Sequence, residues 1–237
     1  MIYITGDKHR DYRSIEDFCS TIKPTKNDLM IVLGDNGVNY YGNESDERLK
    51  EKLSSLPITF FMVRGNHDKR PAAIYYDRVY SPVVCGNVLI EKQFPSLLFA
   101  IDGEVYTIDD KKCLVLGGAY SVDKYFRMEM YAKGYWDYLW FPDEQLSERE
   151  KKSIEKHLEI NRWTVDCVLS HTCPERYIPR EAFLSSIDQK SVDQSMEKWL
   201  EKIENNLDYK RWYCGHWHIS KSIDKMRFMF NDIAILR

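Results

Sequence analysis

Residues suited to metal or phosphate chemistry follow an apolar, β-prone run that covers residues 58–63. The run is followed by the tetrad Gly65-Asn66-His67-Asp68. In open α/β sheets, ligands bind just beyond the carboxyl ends of the strands. An amide, an imidazole and a carboxylate at such a position suit a hydrated metal or a phosphate group. Asn and Asp are also common turn formers, so this motif alone leaves a simple turn as the alternative.

Histidines at the ends of other predicted strands argue against simple turns. Five of the six histidines come directly after such strands, whereas His157 lies inside a predicted helix, where we expect it to be structural or solvent-exposed. Two carboxylates and one amide occupy equivalent strand-end positions. The full set of candidates is Asp7, His9, Asp35, Asn66, His67, His171, His216 and His218. Neither turn formation nor core packing accounts for so many at once, so we predict a shared metal site.

The elements that must position these residues begin with a β-α-β-α-β pattern over residues 2–63. One helix is predicted from about Ser14, with Ser14 and Asp17 as a capping box, and a second ends before Pro57. The strands are predicted at 2–5, 29–33 and 58–63. Right-handed crossovers make such a sheet parallel and bring its three strand-end motifs to one edge.

A second sheet, largely antiparallel or mixed, is predicted in the middle of the chain. Short apolar segments at 97–101, 105–108 and 113–116 lie too close together for helical crossovers. Further strands are predicted at 165–170, at 211–214 and within 219–236. Helices are predicted at 147–160, where Ser147 and Glu150 resemble a capping box, and at 192–207.

The types of ligand indicate which metals would bind. Mixed imidazole, carboxylate and amide oxygen suits borderline or hard ions, with Mn²⁺ as the first choice and Fe or Zn²⁺ as alternatives. Asp7 and His9 are one residue apart, as are His216 and His218, so each pair can reach a single ion. The ligands suffice for two ions if one carboxylate bridges them. Two such ions form a clamp for in-line displacement at phosphorus.

The motifs Asp-x-His, Gly-Asp, Gly-Asn-His-Asp, a lone His and Gly-His-x-His resemble, in this order, those of the calcineurin-like metallophosphoesterase superfamily. They span residues 6–218. The resemblance implies an α/β fold, a two-sheet sandwich flanked by helices, in one domain over 1–237. Residues 117–124 are similar to a stretch in some bacterial and phage-type members. The implied ligands are Asp7, His9 and His218 for one metal, Asn66, His171 and His216 for the other, and Asp35 as the bridge.

The resemblance also implies a mechanism. Two divalent ions lower the pKa of a bridging water, and the hydroxide attacks phosphorus directly. The substrate is then a phosphomonoester or a phosphodiester. His67 would not bind metal but would face the leaving group or the phosphoryl oxygens, and Asp68 is a candidate to orient it.

The chain departs from the phosphoprotein phosphatase branch of the superfamily. That branch has an acid and a phosphate-binding arginine where Val38 and Asn39 stand here. We therefore expect that the protein does not hydrolyse phosphoserine efficiently. Arg10 or Arg127 could supply the missing cation, and the alternative for either is an ordinary surface arginine.

The segment 120–141 is the candidate for substrate selection. Nine of its 22 residues are aromatic, against 14% in the whole chain. Aromatic faces can stack on a nucleobase, so we predict that part of the segment caps the metals, with Tyr125 or Arg127 nearest the substrate. The alternative is that these rings only pack a helix onto a sheet.

Composition limits the partners. The net charge of −3 gives no general attraction to nucleic acid or to an anionic membrane, and no apolar run approaches the roughly 20 residues that span a bilayer. The six scattered cysteines indicate reduced thiols and a cytoplasmic protein.

The leading hypothesis is therefore a phosphoesterase acting on a small phosphorylated substrate such as a nucleotide. The alternatives are a nuclease, which needs a basic groove, a phosphoprotein phosphatase, and a non-catalytic scaffold on the same fold. The complete set of ligands and His67 argues against the scaffold.

Overall fold

The computed structural model describes residues 1–71, 74, 76–183 and 189–237. The β-strands in these ranges are β1 (Ile2–Thr5), β2 (Leu29–Leu33), β3 (Thr59–Val63), β4 (Asp77–Ser81), β5 (Gly86–Ile90), β6 (Leu97–Phe99), β7 (Val105–Ile108), β8 (Lys111–Leu116), β9 (Cys167–Ser170), β10 (Arg211–Cys214), β11 (Lys221–Ile223), β12 (Met226–Phe228) and β13 (Ala234–Ile235). The α-helices are α1 (Arg13–Ile22), α2 (Glu44–Ser55), α3 (Lys124–Ala132), α4 (Glu148–Ile160) and α5 (Ser195–Asn206). Short 3₁₀ helices cover Glu175–Tyr177, Arg180–Ala182 and Gln189–Ser191.

The first sheet has the order β13-β1-β2-β3-β6-β5-β4. Strands β1, β2, β3 and β6 are mutually parallel, which confirms the predicted parallel arrangement of the first three. Every residue of β2 and β3 is buried, as expected of parallel strands that are covered on both faces. The motifs after β1, β2 and β3 therefore lie at one edge.

The second sheet is mixed, with the order β11-β12-β10-β9-β8-β7. Strands β8, β9, β10 and β12 are parallel, and β7 and β8 form an antiparallel hairpin. The prediction that residues 97–101 join this sheet was wrong, because Leu97 pairs with Phe60 of β3. The hairpin of β4 and β5, which we did not predict, extends the first sheet, and β6 returns between β5 and β3.

The two sheets pack face to face with helices outside them. The core between the sheets takes Ile31 and Phe61 from the first sheet, and Val115 and Leu169 from the second. Helices α1 and α2 cover the outer face of the first sheet, and α4 and α5 cover that of the second. The predicted fold class, a two-sheet α/β sandwich flanked by helices, is confirmed.

Helix ends followed the sequence signals only in part. The capping box of α4 is present, with Ser147 and Glu150 in the expected roles. The prediction of a capping box at Ser14 was wrong, because α1 begins one residue earlier, at Arg13. Its N-cap residue is the buried Tyr12, whose side chain makes no capping hydrogen bond. His157 is structural as expected, since its Nδ1 lies 3.1 Å from the Gly103 carbonyl oxygen. No helix in the described ranges is long and apolar enough to cross a bilayer.

Candidate metal centre

Side chains from the ends of β1 and β10 form the first group of possible ligands. Asp7, His9 and His218 each offer an atom within 4.8 Å of the others. The Nε2 atoms of His9 and His218 are 3.0 Å apart, and His218 Nε2 lies 3.1 Å from Asp7 Oδ2. Three donor atoms thus converge on one point, as they do around a bound cation.

A second group comes from the ends of β3, β9 and β10. His171 Nε2 lies 2.8 Å from Asn66 Oδ1, and the rings of His171 and His216 are 5.0 Å apart. His171 Nδ1 lies 2.8 Å from the Leu33 carbonyl oxygen, which can only accept a hydrogen bond. A proton on Nδ1 satisfies this carbonyl oxygen and leaves Nε2, which faces the Asn66 oxygen, to bind a metal. The Asn66 amide donates to Ser121 Oγ at 2.9 Å, and this turns its oxygen toward His171.

Asp35 lies between the two groups. Its Oδ2 is 3.5 Å from His9 Nε2, and its Oδ1 is 3.5 Å from His171 Nε2. Oδ1 also accepts the backbone N–H of His67 at 2.8 Å. One oxygen of this carboxylate therefore faces each group, which is the position that a bridging ligand needs.

The backbone at these positions is strained. His9, Asp35, His216 and His218 all have positive φ, between 43° and 66°. Residues other than glycine rarely adopt this region, and each instance costs on the order of 1–3 kcal/mol. Such strain is typical of functional sites, and here it affects four of the seven proposed ligands.

Glycine is needed at two strand ends because of close approach. A Cβ atom on Gly65 would lie 2.0 Å from Asp35 Oδ1, and one on Gly215 would lie 2.3 Å from Asp7 Oδ1. The glycines that begin the tetrad after β3 and the motif after β10 thus make room for carboxylates from other strands.

The electrostatics fit divalent cations. Asp7 and Asp35 are both 2% exposed. Burial favours a high pKa for Asp7, but His218 and His171 outweigh it and lower the pKa to about 2. Burial holds the pKa of His216 well below its usual value. Two buried carboxylates so close together are unfavourable alone, and bound cations would compensate them.

His67 lies beside the ligands. Burial lowers the pKa of His67 to about 4 against the pull of Asp35, and the Arg127 charge lowers it further. The imidazole is thus neutral near pH 7 and carries one N–H. Its Nε2 lies 3.5 Å from Arg127 Nη2, so the ring and the guanidinium face the same space.

The suggested role of Asp68 in orienting His67 is wrong. Its carboxylate instead accepts the backbone N–H groups of Asn36, Gly37 and Gly65 at 2.8–3.1 Å. It therefore ties the loop after β2 to the loop after β3, and adjacent residues on such a turn point apart. Sequence reasoning also missed Ser121, which holds the Asn66 amide.

The three candidate substrate-binding residues have different surroundings. Arg127 lines the cavity over the site and is held there by Asp123, at 2.7 Å, and by the Tyr40 hydroxyl, at 3.0 Å. The Arg10 guanidinium bonds to Asp46 at 2.5 Å, although its side chain also borders the site. Tyr125 is 68% exposed and is not among the described residues that line the cavities.

The segment 120–141 borders the candidate site. Tyr120, Ser121 and Asp123 line the same cavity as Asp35. The segment contains α3, which we did not predict and which has no buried residue. Most of its rings are therefore not packing a helix onto a sheet, so the segment remains a candidate for the cap.

Glu197 of α5 is a further carboxyl group on the wall of this cavity that the sequence did not suggest. Its Oε1 accepts the Thr172 hydroxyl at 2.8 Å, and its Oε2 has no hydrogen-bond partner among the described residues. Burial raises the pKa of Glu197 from 4.5 to about 7. The folded state therefore favours the protonated form.

This raised pKa predicts that Glu197→Gln increases the free energy of unfolding by an amount that depends on pH. In the wild type, the contribution of Glu197 to stability is complete below about pH 4.5 and is lost as the pH rises through 7. With chelator present, the variant should be more stable than the wild type by on the order of 3 kcal/mol at pH 8.5 and by much less at pH 5. Urea unfolding at both values measures this, with exposed Glu51→Gln as the control. An equal difference at the two values would contradict the assignment.

Comparison with known proteins identifies the class. The chain belongs to the calcineurin-like phosphoesterase family, whose sequence model matches residues 1–220. This confirms the resemblance read from the motifs, and it makes the chain a metal-dependent phosphoester hydrolase. No functionally curated protein matches significantly. One matching solved structure is the phosphopantetheinyl hydrolase PptH from Mycobacterium tuberculosis, at 12% identity and a TM-score of 0.47, covering 97% of this chain and 87% of that one.

Proposed function

We propose that the protein is a dinuclear phosphoesterase that hydrolyses small phosphoesters with two Mn²⁺ ions. The carrying observation is the position of Asp35, which presents one oxygen to each of two groups of ligand atoms. Asp7, His9 and His218 would hold one ion, and Asn66, His171 and His216 the other. When bound, such ions supply an activated water and neutralise charge on the phosphoryl group.

The chain itself supplies positioning and hydrogen bonding. His67 offers one imidazole N–H to a phosphoryl or leaving-group oxygen, and Arg127 beside it offers a guanidinium of fixed orientation. A phosphate bound there raises the proton affinity of His67, because an anion favours the protonated ring. His67 then acts as the general acid toward the leaving group.

Alternative functions have less support. A nuclease needs a basic groove, whereas Arg127 is the one Lys or Arg among the described residues that line the cavity it shares with Asp35. Against a phosphoprotein phosphatase, Val38 is buried in the core and Asn39 bonds to the Tyr76 hydroxyl at 2.8 Å. All six cysteines are free thiols, which supports our placing of the protein in a reducing cytoplasm. We retain one catalytic domain over 1–237 as part of the proposal.

The test is hydrolysis of chromogenic esters by protein stripped with chelator and then reloaded. We expect no turnover without metal and full recovery with Mn²⁺. Turnover that persists after complete metal removal, or none after saturation with any divalent ion, would contradict the proposal.

Arg127→Ala should raise the KM for a phosphoester about 10- to 100-fold with both metals bound, because a charge-assisted hydrogen bond contributes about 1.5–3 kcal/mol. Arg127→Lys should raise the KM by a smaller factor. Arg78→Ala, at an exposed arginine, should leave the KM unchanged. Metal content is measured alongside the kinetics. An unchanged KM in Arg127→Ala would show that the guanidinium does not contact the phosphate.

A further inference from the structure

Two separate cavities border the same four side chains. The shared residues are His9, Asp35, His67 and Arg127. One cavity, of about 330 Å³, has in its walls the apolar residues Val122, Ile178, Ala182, Phe183, Val192 and Trp217, and we name it the apolar cavity. The other, of about 310 Å³, has Tyr40, Tyr41 and Tyr138 in its walls, and we name it the tyrosine cavity. A phosphoryl group held at the shared residues therefore has an organic-sized space on two sides.

The apolar cavity suits an uncharged group. The rings of Phe183 and Trp217 stack in its wall with centroids 6.2 Å apart and planes 27° apart. Glu197 is 4% exposed and its Oε2 is without a hydrogen-bond partner among the described residues, so this oxygen can form a hydrogen bond with a polar group of the ligand. Carboxyl groups of Asp123 and Asp193 also line this space, which disfavours a second phosphate.

The tyrosine cavity is preformed. The Tyr40 hydroxyl donates to the Asp137 carbonyl oxygen at 2.8 Å and accepts from Arg127 Nη1 at 3.0 Å. The rings of Tyr40 and Tyr41 are 4.9 Å apart, edge to face, and the Arg10 guanidinium lies 4.8 Å from the Tyr41 ring. Fixed aromatic walls reduce the entropy lost when a second organic group binds.

We propose that the physiological substrate is a phosphodiester, with an uncharged organic substituent in the apolar cavity and its second substituent in the tyrosine cavity. This inference rests on the proposed phosphoesterase function. Water adds to phosphorus, and the bond from phosphorus to one ester oxygen breaks. The proton from water passes to that oxygen, which gives an alcohol and a phosphomonoester. A monoester substrate would leave one cavity empty.

The test compares bis(p-nitrophenyl) phosphate with p-nitrophenyl phosphate, which share the leaving group, on Mn²⁺-loaded protein. We expect kcat/KM for the diester to exceed that for the monoester by about tenfold or more. Phe183→Ala removes one wall of the apolar cavity, and Tyr41→Ala removes one wall of the tyrosine cavity. Each should lower kcat/KM for the diester about fivefold or more, mainly through KM, by loss of ring contact. The monoester should respond to at most one of them.

Tyr80→Ala, at an exposed tyrosine of β4, is the matched control and should change neither ester. Retained metal content and circular dichroism confirm that each variant is folded. Equal or better turnover of the monoester, or a diester rate that one cavity variant leaves unchanged, overturns the inference while the phosphoesterase function stands. Hydrolysis of neither ester overturns both.

Discussion

Replacing His67 by alanine should lower kcat by roughly 10²–10⁴-fold, the range for loss of a general acid, while both ions stay bound. The ions should stay bound because the His67 side chain belongs to neither group of ligand atoms. The backbone N–H of this residue, which alanine retains, donates to Asp35 at 2.8 Å. Steady-state kinetics together with metal analysis of the same sample measures both quantities.

His157→Ala is the control for this variant, because that histidine lies on α4, where its Nδ1 lies 3.1 Å from the Gly103 carbonyl oxygen. It should keep wild-type activity. His171→Ala should lose metal instead, since Nε2 of His171 faces both Asn66 and Asp35. Metal loss in His67→Ala with full metal in His171→Ala would mean that the two roles are reversed.

Asp35→Asn should have the largest effect of any single change. Asparagine tolerates the left-handed backbone that Asp35 adopts, at φ 46°, so the fold is expected to persist. The neutral amide removes the buried charge that faces both groups of ligand atoms, and it offers one oxygen instead of two. We expect at most one tightly bound ion and a fall in kcat of at least about 10³-fold, since the metal stabilises the transition state by several kcal/mol.

Asp166→Asn is the matched control, because that carboxylate pairs with Lys210 on the surface. It should alter neither metal content nor rate. Two ions and near-normal turnover in Asp35→Asn would show that the carboxylate does not bridge.

Much of the candidate site could be predicted from the sequence, because its residues stand in short motifs after apolar strands. Parallel strands bring their carboxyl ends together, so Asp7, Asp35 and Asn66 share an edge once the β-α-β-α-β pattern is recognised. Strands β2 and β3 were predicted well because they are buried on both faces and read as continuous apolar runs.

Elements with weaker patterns were missed. Strand β4 begins with Asp77 and Arg78 and is largely exposed at the edge of its sheet, so it carries no apolar run. Without the hairpin of β4 and β5, the position of β6 could not be inferred. Helix α3 has no buried residue, and its apolar residues were not distinguished from those of the aromatic-rich segment around it.

The residues of the cavity walls also could not be predicted from the sequence. Glu197 lies on the buried side of α5, where its spacing resembles that of the apolar residues around it. Only the packing of α5 against the end of β9 brings it to Thr172 and the candidate site. Such contacts join residues far apart in the chain, and no local pattern records them.

The most direct measurement is the number and position of metal ions in protein saturated with Mn²⁺, by elemental analysis and anomalous scattering. Our account predicts two ions per chain, one bound by Asp7, His9 and His218, the other by Asn66, His171 and His216, with Asp35 on both. A single ion at saturation, or ions held by other side chains, would contradict it.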